Sequence, residues 1–496
     1  MQAACLIHAS WALAIADSHD LTGYSRYNLD RLVSDFQRNL RLMHDPDAVP
    51  PDDYPPANYA WYVVGVLTLA YVFSFIDRQI LSLLVGPIQS DMGIGDKQMG
   101  LLMGLTFAIF YTLFGIPLGR LADTSNRRNI IAAGIAVWSL MTAGCGLTRK
   151  FWQLALMRIG VGVGEAALSP SAYSLIADYF PPQRRSLAMS VYTIGIYVGS
   201  GLAFILGGIV ISFSKSQQDV VLPYHGSIRS WQLVFLIVGL PGLLVASLLF
   251  TIREPLRQGA RRPMGGSSAA PTATMTEVWA YLRDNGGTFL CLNLGISMIT
   301  MNAYGMTSWV PTMFMRRHAW SPSQTGVVFG VIIAVSGTLG LLTGGRIADW
   351  MSEQGRTDAN MRVAALAAVC LLPFGLAFPL VPSAVWGAIF VAPALFFSSI
   401  PFGVAPAAIQ RMMPNAMRAQ ATAAYLFVIN LIGMGLGPTV VATLTEDVFH
   451  DKNAVHYSLA IVGGITQVAA GILLWSGLKR YRRSIEYFKA WNESHG

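Results

Sequence analysis

The chain is 496 residues long, 53% hydrophobic and only 12% charged, with a formal net charge of +8. Soluble domains carry about twice that charged fraction, so a water-soluble enzyme or binding module does not fit this composition. A basic excess also marks nucleic-acid binders, but the placement of these charges follows membrane topology instead.

From the N-terminus, residues 1–58 precede any apolar run of membrane length. AACLIHASWALAIA is mildly apolar but has no basic start, so it makes a poor signal peptide. LDRLVSDFQRNL (29–40) places Leu29, Leu32, Val33, Phe36 and Leu40 on one helical face, the pattern of a helix lying on a membrane surface. The plainer reading is that the natural start is Met43. Twelve apolar segments follow, each of roughly 20–28 residues and long enough for about 30 Å of hydrocarbon. They run 59–86, 98–119, 129–148, 151–179, 187–213, 231–251, 287–315, 323–345, 363–381, 384–410, 419–444 and 457–478. The expected fold is an all-α membrane protein of twelve transmembrane helices in two six-helix bundles. The expected organisation is an extension at 1–58, bundles at 59–251 and 287–478, a linker at 252–286 and a tail at 479–496.

The first span contains YVFSFIDRQILSLLV, with Asp77 and Arg78 side by side in an apolar run. A charge at mid-bilayer costs at least a few kcal/mol, so intramembrane charges mark candidate function. The fourth span carries Arg158 and, at i+7 on the same face, Glu165. Asp77 and Glu165 are the acidic residues well inside spans, and Asp178 sits at the end of the fourth. The cysteines Cys145, Cys291 and Cys370 fall in apolar runs without metal or disulfide spacing, so they read as small core residues and no metal site is expected.

After the sixth span, RRPMGGSSAAPTATM is small, polar and flexible. TMTEVWAYLRD then reads as a short amphipathic helix with Val278, Trp279 and Leu282 dipping into the membrane interface. In the second half the spans are apolar. They offer Asn302, Tyr304, Trp309, Tyr425 and Asn430 as a candidate substrate wall, although aromatics at helical spacing are more often plain packing.

With both termini cytoplasmic, the cytoplasmic loops and C-terminal tail hold 20 of the 34 Lys and Arg, the external loops 8, the N-terminal tail 4 and the spans 2. That bias fixes the orientation. The halves also echo each other. GRLADTSNRR (119–128) matches GRIADWMSEQGR (345–356), and YFPPQRRSLAMSVY (179–192) matches RMMPNAMRAQATAAY (411–425). A repeat of six spans implies two bundles around a central cavity.

Gly119, Asp123, Arg127 and Arg128 resemble the loop 2–3 signature of the major facilitator superfamily, with Thr124 and Asn126 departing from it. Gly345 and Asp349 form a more degenerate second copy. LMRIGVGVGEA (156–166) is similar to that family's fourth-helix signature. FxDRxxL in the first span, GVGEA before SPSAYSLIADYFPPQRR, and a fifth span with Ser200 where drug antiporters carry proline resemble the Spinster-like branch. The resemblance implies the major facilitator fold and, by analogy with eukaryotic members, transport of lysolipids or sphingoid lipids. It also implies that the first and fourth helices adjoin. Helix rise then puts Asp77 and Arg158 at nearly the same depth, about 10 Å below the outer face, and an Asp77–Arg158 ion pair is expected. The bland alternative is a permanent structural bridge. Glu165 has no evident dedicated partner and is the candidate proton carrier, or else a simple interhelical hydrogen-bond acceptor. Asp123, Arg127, Arg128, Asp178 and Asp349, with Gly119, are expected to form a cytoplasmic gate.

The function expected is secondary active transport of an amphiphilic or anionic molecule by a monomer in the cell membrane, coupled to protons. The alternative is a small aromatic or sugar acid as substrate. No phosphate-binding loop, no cofactor motif and no nucleophile–base arrangement is present in the sequence, which argues against an ATP-driven pump or an enzyme.

Overall fold

The computed structural model describes residues 54–215, 220–222, 226–255, 257, 275–414 and 417–495. The surface helix expected at 29–40, the alternative start at Met43 and most of the linker lie outside the described residues. Among the described residues, eleven helices are long and apolar enough to cross a membrane.

In the first half these are α1 (Ala57–Leu83), α2 (Asp96–Thr124) and α3 (Arg127–Cys145), followed after two shorter helices by α6 (Pro182–Lys215) and α7 (Ser230–Thr251). The shorter helices, α4 (Phe151–Glu165) and α5 (Leu168–Tyr179), occupy the expected fourth span. Ala166 and Ala167 separate them directly after Glu165, so neither reaches spanning length alone. A short ribbon pairs Val221 with Ser227 between α6 and α7.

The second half begins with α8 (Met275–Asp284), a short helix. It continues with α9 (Gly286–His318), α10 (Pro322–Glu353), α11 (Ala359–Leu380), α12 (Ala384–Arg411) and α13 (Gln420–Val448), and ends in α14 (Val455–His495). The last helix runs on without interruption through the expected tail.

Local chemistry sets several of these boundaries. Asn126 caps α3, its side chain accepting from the Asn129 N–H at 3.0 Å. One departure from the family signature is thereby a helix start, and it puts Arg127 in the first turn. Ser321 caps α10 in the same way, with Pro322 at the first helical position. Gly104 breaks the α2 ladder with φ −113° and ψ −93°. Among the described residues, π-helical segments interrupt α10 at Ile333–Gly337 and α13 at Asn430–Leu436, and another, Leu444–Val448, ends α13.

The halves join where α6 packs along α10 and α2 along α13. Glycines make the approach possible. A Cβ on Gly201 would lie 2.6 Å from the Gly330 carbonyl, and one on Gly104 would lie 2.4 Å from the Gly435 carbonyl. These contacts lie between mid-depth and the face opposite the basic loops. Toward the basic face, α2 exposes Leu113, Phe114, Ile116 and Leu121. The outward faces elsewhere are apolar too, as Leu244, Phe250 and Trp475 show.

The short helix α8 departs from expectation. Val278 is buried and Leu282 packs against the protein core, while Trp279 is exposed. Tyr281 explains this: its hydroxyl donates to the Met412 carbonyl at 2.7 Å and its ring packs against Tyr487 and Trp491 of α14. The apolar face of α8 is thus used by the protein, leaving Trp279 alone for the interface.

Candidate functional site

Ser74 and Arg78 lie one turn apart on α1, and both reach the end of α4. The Ser74 hydroxyl donates to Glu165 Oε2 at 2.6 Å, and the Arg78 guanidinium forms an ion pair with the same oxygen. Both side chains are buried, Arg78 at 9% exposure and Glu165 at 1%. The second Glu165 oxygen has no hydrogen-bond partner among the described residues. Glu165 therefore does have a dedicated partner, contrary to the sequence expectation. The first-half charges are matched through Arg78, not through Arg158.

Arg78 sits in an aromatic shell. Its guanidinium carbon lies 4.8 Å from the Phe75 ring centre, 4.5 Å from Phe107 and 5.3 Å from Tyr111. Stacking of this kind offsets part of the burial cost of a guanidinium. Its other terminal nitrogen reaches Met434 Sδ at 3.7 Å, on the π-helical segment of α13. One side chain thus touches a carboxylate in the first half and a thioether in the second.

The expected Asp77–Arg158 ion pair is not formed. Arg158 instead donates to the backbone carbonyls of Asp77 at 3.3 Å and Leu102 at 3.4 Å. The break at Gly104 explains the second contact. It frees carbonyls of the preceding turn, and Thr106 and Arg158 take them up. Arg158 also lies 5.4 Å from the Phe107 ring centre, so that ring is flanked by two guanidinium groups. Asp77 is 1% exposed, with the Thr142 hydroxyl beside its carboxyl group.

At the basic face, Arg127 is 1% exposed and joins three elements. It pairs with Asp178 at the end of α5, donates to Ser174 at 2.8 Å and pairs with Glu254 at 2.7 Å. The Arg128 N–H donates to Glu254 at 3.2 Å and its guanidinium to the Ile252 carbonyl at 3.2 Å. Nothing in the sequence singles out Glu254, since REPLRQ reads as a charged loop; its place next to Arg127 and Arg128 emerges only from the fold. Asp123 and Asp349 are exposed at the ends of α2 and α10. A Cβ on Gly119 would make only an ordinary contact of 3.8 Å with Pro170, and Gly345 faces open space. Neither glycine is required by packing here.

The candidate second-half wall separates into two groups. Trp309 is buried with its ring N–H donating to the Pro438 carbonyl at 2.8 Å, and Asn302 is buried with its amide 3.4 Å from Met306 Sδ. Tyr425 is also buried. These three pack the second half. Tyr304 is half-buried beside Arg78, and Asn430 is half-buried at the start of the π-helical segment that carries Met434.

Apolar-faced helices in two joined halves, with a buried ion pair in the first half whose arginine also reaches the second, define a polytopic helical membrane protein. The profile of the Major Facilitator Superfamily matches residues 67–438. The chain belongs to the major facilitator superfamily. It is 31% identical over 428 residues to an MFS-type efflux pump of Mycolicibacterium smegmatis, covering 86% of this chain and 94% of that protein. It is 26% identical over 403 residues to the mouse sphingosine-1-phosphate transporter SPNS2, covering 77% and 69%. Its match to mouse protein spinster homolog 1 is 30% over 293 residues, about half of each chain at 56% and 52%. Among solved structures it resembles a bacterial homolog of the human lysosomal transporter Spinster, in an inward-facing and unoccupied conformation. That match has a TM-score of 0.68 and 27% identity, covering 88% of this chain and 99% of that one. The relatives are transporters, not enzymes, and the chain is a Spinster-like, multi-pass protein of the plasma membrane.

Proposed function

We propose that the chain is a monomeric secondary active transporter that moves an amphiphilic or anionic, lysolipid-like molecule by alternating access, coupled to protons. In this reading α4 and α5 form one broken span, which makes twelve, and both termini are cytoplasmic. The basic loops then face the cytoplasm, and the contacts between halves close the outer end, so the state is inward-facing.

The observation that carries the reading is Arg78. It holds Glu165 in the first half, touches Met434 in the second, and lies under an aromatic shell. An anionic headgroup arriving from the open side competes with Glu165 for the guanidinium. Protonation of Glu165 weakens the original pair and releases Arg78 to the substrate. Either event alters the contact with Met434 and biases the equilibrium between the two orientations of the halves. The tail of an amphiphile has apolar surface available along α2, where Leu113, Phe114 and Ile116 are exposed. Arg127, Arg128, Asp178 and Glu254 hold helix ends at the cytoplasmic face and act on gating, together with Asp123 and Asp349.

A second reading, transport of a small aromatic or sugar acid, draws on Phe75, Phe107 and Tyr111, which can stack on a flat anion beside Arg78. Calorimetric binding to the protein in nanodiscs separates the two. Binding of a lysophospholipid that is lost in Arg78→Ala supports the lysolipid reading. Saturable binding of an aromatic carboxylate, with none for the lysophospholipid, replaces it with the second.

A further inference from the structure

We propose that Arg316 is the bolt of an ion-pair latch that holds the two halves closed at the face opposite the basic loops. The proposal rests on the alternating-access reading above, since a latch has meaning only if that face opens.

Arg316 is in the last turn of α9, in the second half, and Asp96 opens α2, in the first. The guanidinium meets both oxygens of the Asp96 carboxylate, at 2.6 and 2.8 Å, in a two-pronged pair. Gln89 completes the arrangement. Its amide N–H donates to Asp96 at 2.7 Å, and its oxygen accepts from Arg316 at 3.0 Å. Arg316 also donates to the Lys452 carbonyl at 2.9 Å, in the loop before α14. Asp96 is 1% exposed, so this is a desolvated contact and not a loose surface pair.

A second tie lies next to it. Glu446, on the π-helical segment at the end of α13, accepts from the backbone N–H of Lys97 at 2.8 Å. A carboxylate from one half thereby caps the helix start of the other. Gly95 makes the space: a Cβ there would stand 2.3 Å from Glu446 Oε2. The neighbouring Lys97–Asp447 pair, at 2.7 Å, is about half exposed on both sides and adds little.

Position makes this arrangement a latch and not merely a brace. Deep in the bilayer, parting a buried pair strands both charges. At this rim, parting Asp96 from Arg316 returns both to water, so hydration replaces the lost pair. The contact is therefore specific when closed and reversible when open.

The test uses the full-length chain without its native cysteines, reconstituted in nanodiscs, with spin labels at Ser90→Cys and Asn453→Cys. Both positions are exposed and lie in opposite halves beside the latch. Dipolar spectroscopy reads the distance between them. Arg316→Ala and Asp96→Asn are expected to raise the ratio of long to short distances by roughly tenfold. Lys97→Ala is expected to change it little. Arg316→Lys keeps the charge without the fork and serves where the alanine variant does not fold; it is expected to give an intermediate ratio. A long-distance population that is present in the parent protein but unmoved by these variants overturns the latch and leaves alternating access standing. A single short distance in every variant and at every pH overturns both.

Discussion

At the scale of single residues, the centre of the account is Arg78 with Glu165. Removing one partner of a buried pair typically costs about 3–5 kcal/mol, whereas removing both is often near neutral. Arg78→Ala is therefore expected to lower thermal stability markedly, and the Arg78→Gln/Glu165→Gln double variant to recover most of it. Melting curves in detergent check this; equal losses in single and double variants would show that the pair is not the source. Arg158 acts by a different route. Because it donates to two backbone carbonyls, Arg158→Lys, which loses the fork, is expected to cost about 2 kcal/mol, in the range for hydrogen bonds to a charged group. Asp77→Asn is expected to leave that contact intact. The sequence brought the right charges forward, since few charged residues fall within apolar runs. It did not supply their partners. Matching by depth and sign pairs Arg158 with Asp77, but carbonyl acceptors carry no sign in a sequence. The one that Arg158 finds on α2 exists because Gly104 breaks the helix.

At the scale of elements, the account turns on close helix contacts and pinned helix ends. The α6–α10 crossing leaves no room at Gly201, where backbone and Ala334 both lie within 2.7 Å of an added Cβ. Gly201→Leu is expected to cost about 1–3 kcal/mol as overpacking and to hold the halves apart at their distal ends. Loss of thermal stability together with a longer distance across the halves is the readout. At the basic face, Arg127 joins α3, α5 and the segment after α7. Arg127→Ala leaves Asp178 and Glu254 facing each other's surroundings without the cation. Their partial exposure, 14% and 22%, limits the expected cost to about 2–3 kcal/mol. A cost near zero would mean that the cluster is a solvated surface feature. Helix positions were largely readable from apolar run length, to within a few residues at most ends. Two features were not. The interruption after Glu165 falls at two alanines, which favour helix and mask it, although Pro170 has no N–H to bond the Ala166 carbonyl four residues back. The partner of α8 is α14, and nothing in TMTEVWAYLRD reveals that its apolar face is already occupied.

At the scale of the whole molecule, the repeat of the two loop motifs, together with the long polar linker, was enough to suggest two six-span halves. The family then entered through GRLADTSNRR and GVGEA, and the match over residues 67–438 establishes it. What distinguishes one transporter from another was less legible. The second half presents Trp309 and Tyr425 as apparent wall residues, yet both are committed to packing; Tyr304, also legible as a wall residue, does lie beside Arg78, and the further contact there comes from Met434, a residue with no charge to draw notice. Its place depends on the π-helical turn Asn430–Leu436, which rotates the helix locally. Coupling between the halves is thus proposed to pass through Arg78 to Met434 in the middle and through Arg316 at the rim. The most direct measurement is uptake of labelled lysophospholipid into proteoliposomes, with and without an imposed pH gradient, for the parent chain and Glu165→Gln. The account predicts gradient-dependent uptake that Glu165→Gln abolishes while the variant stays folded. Uptake in Glu165→Gln that still follows the gradient would contradict it.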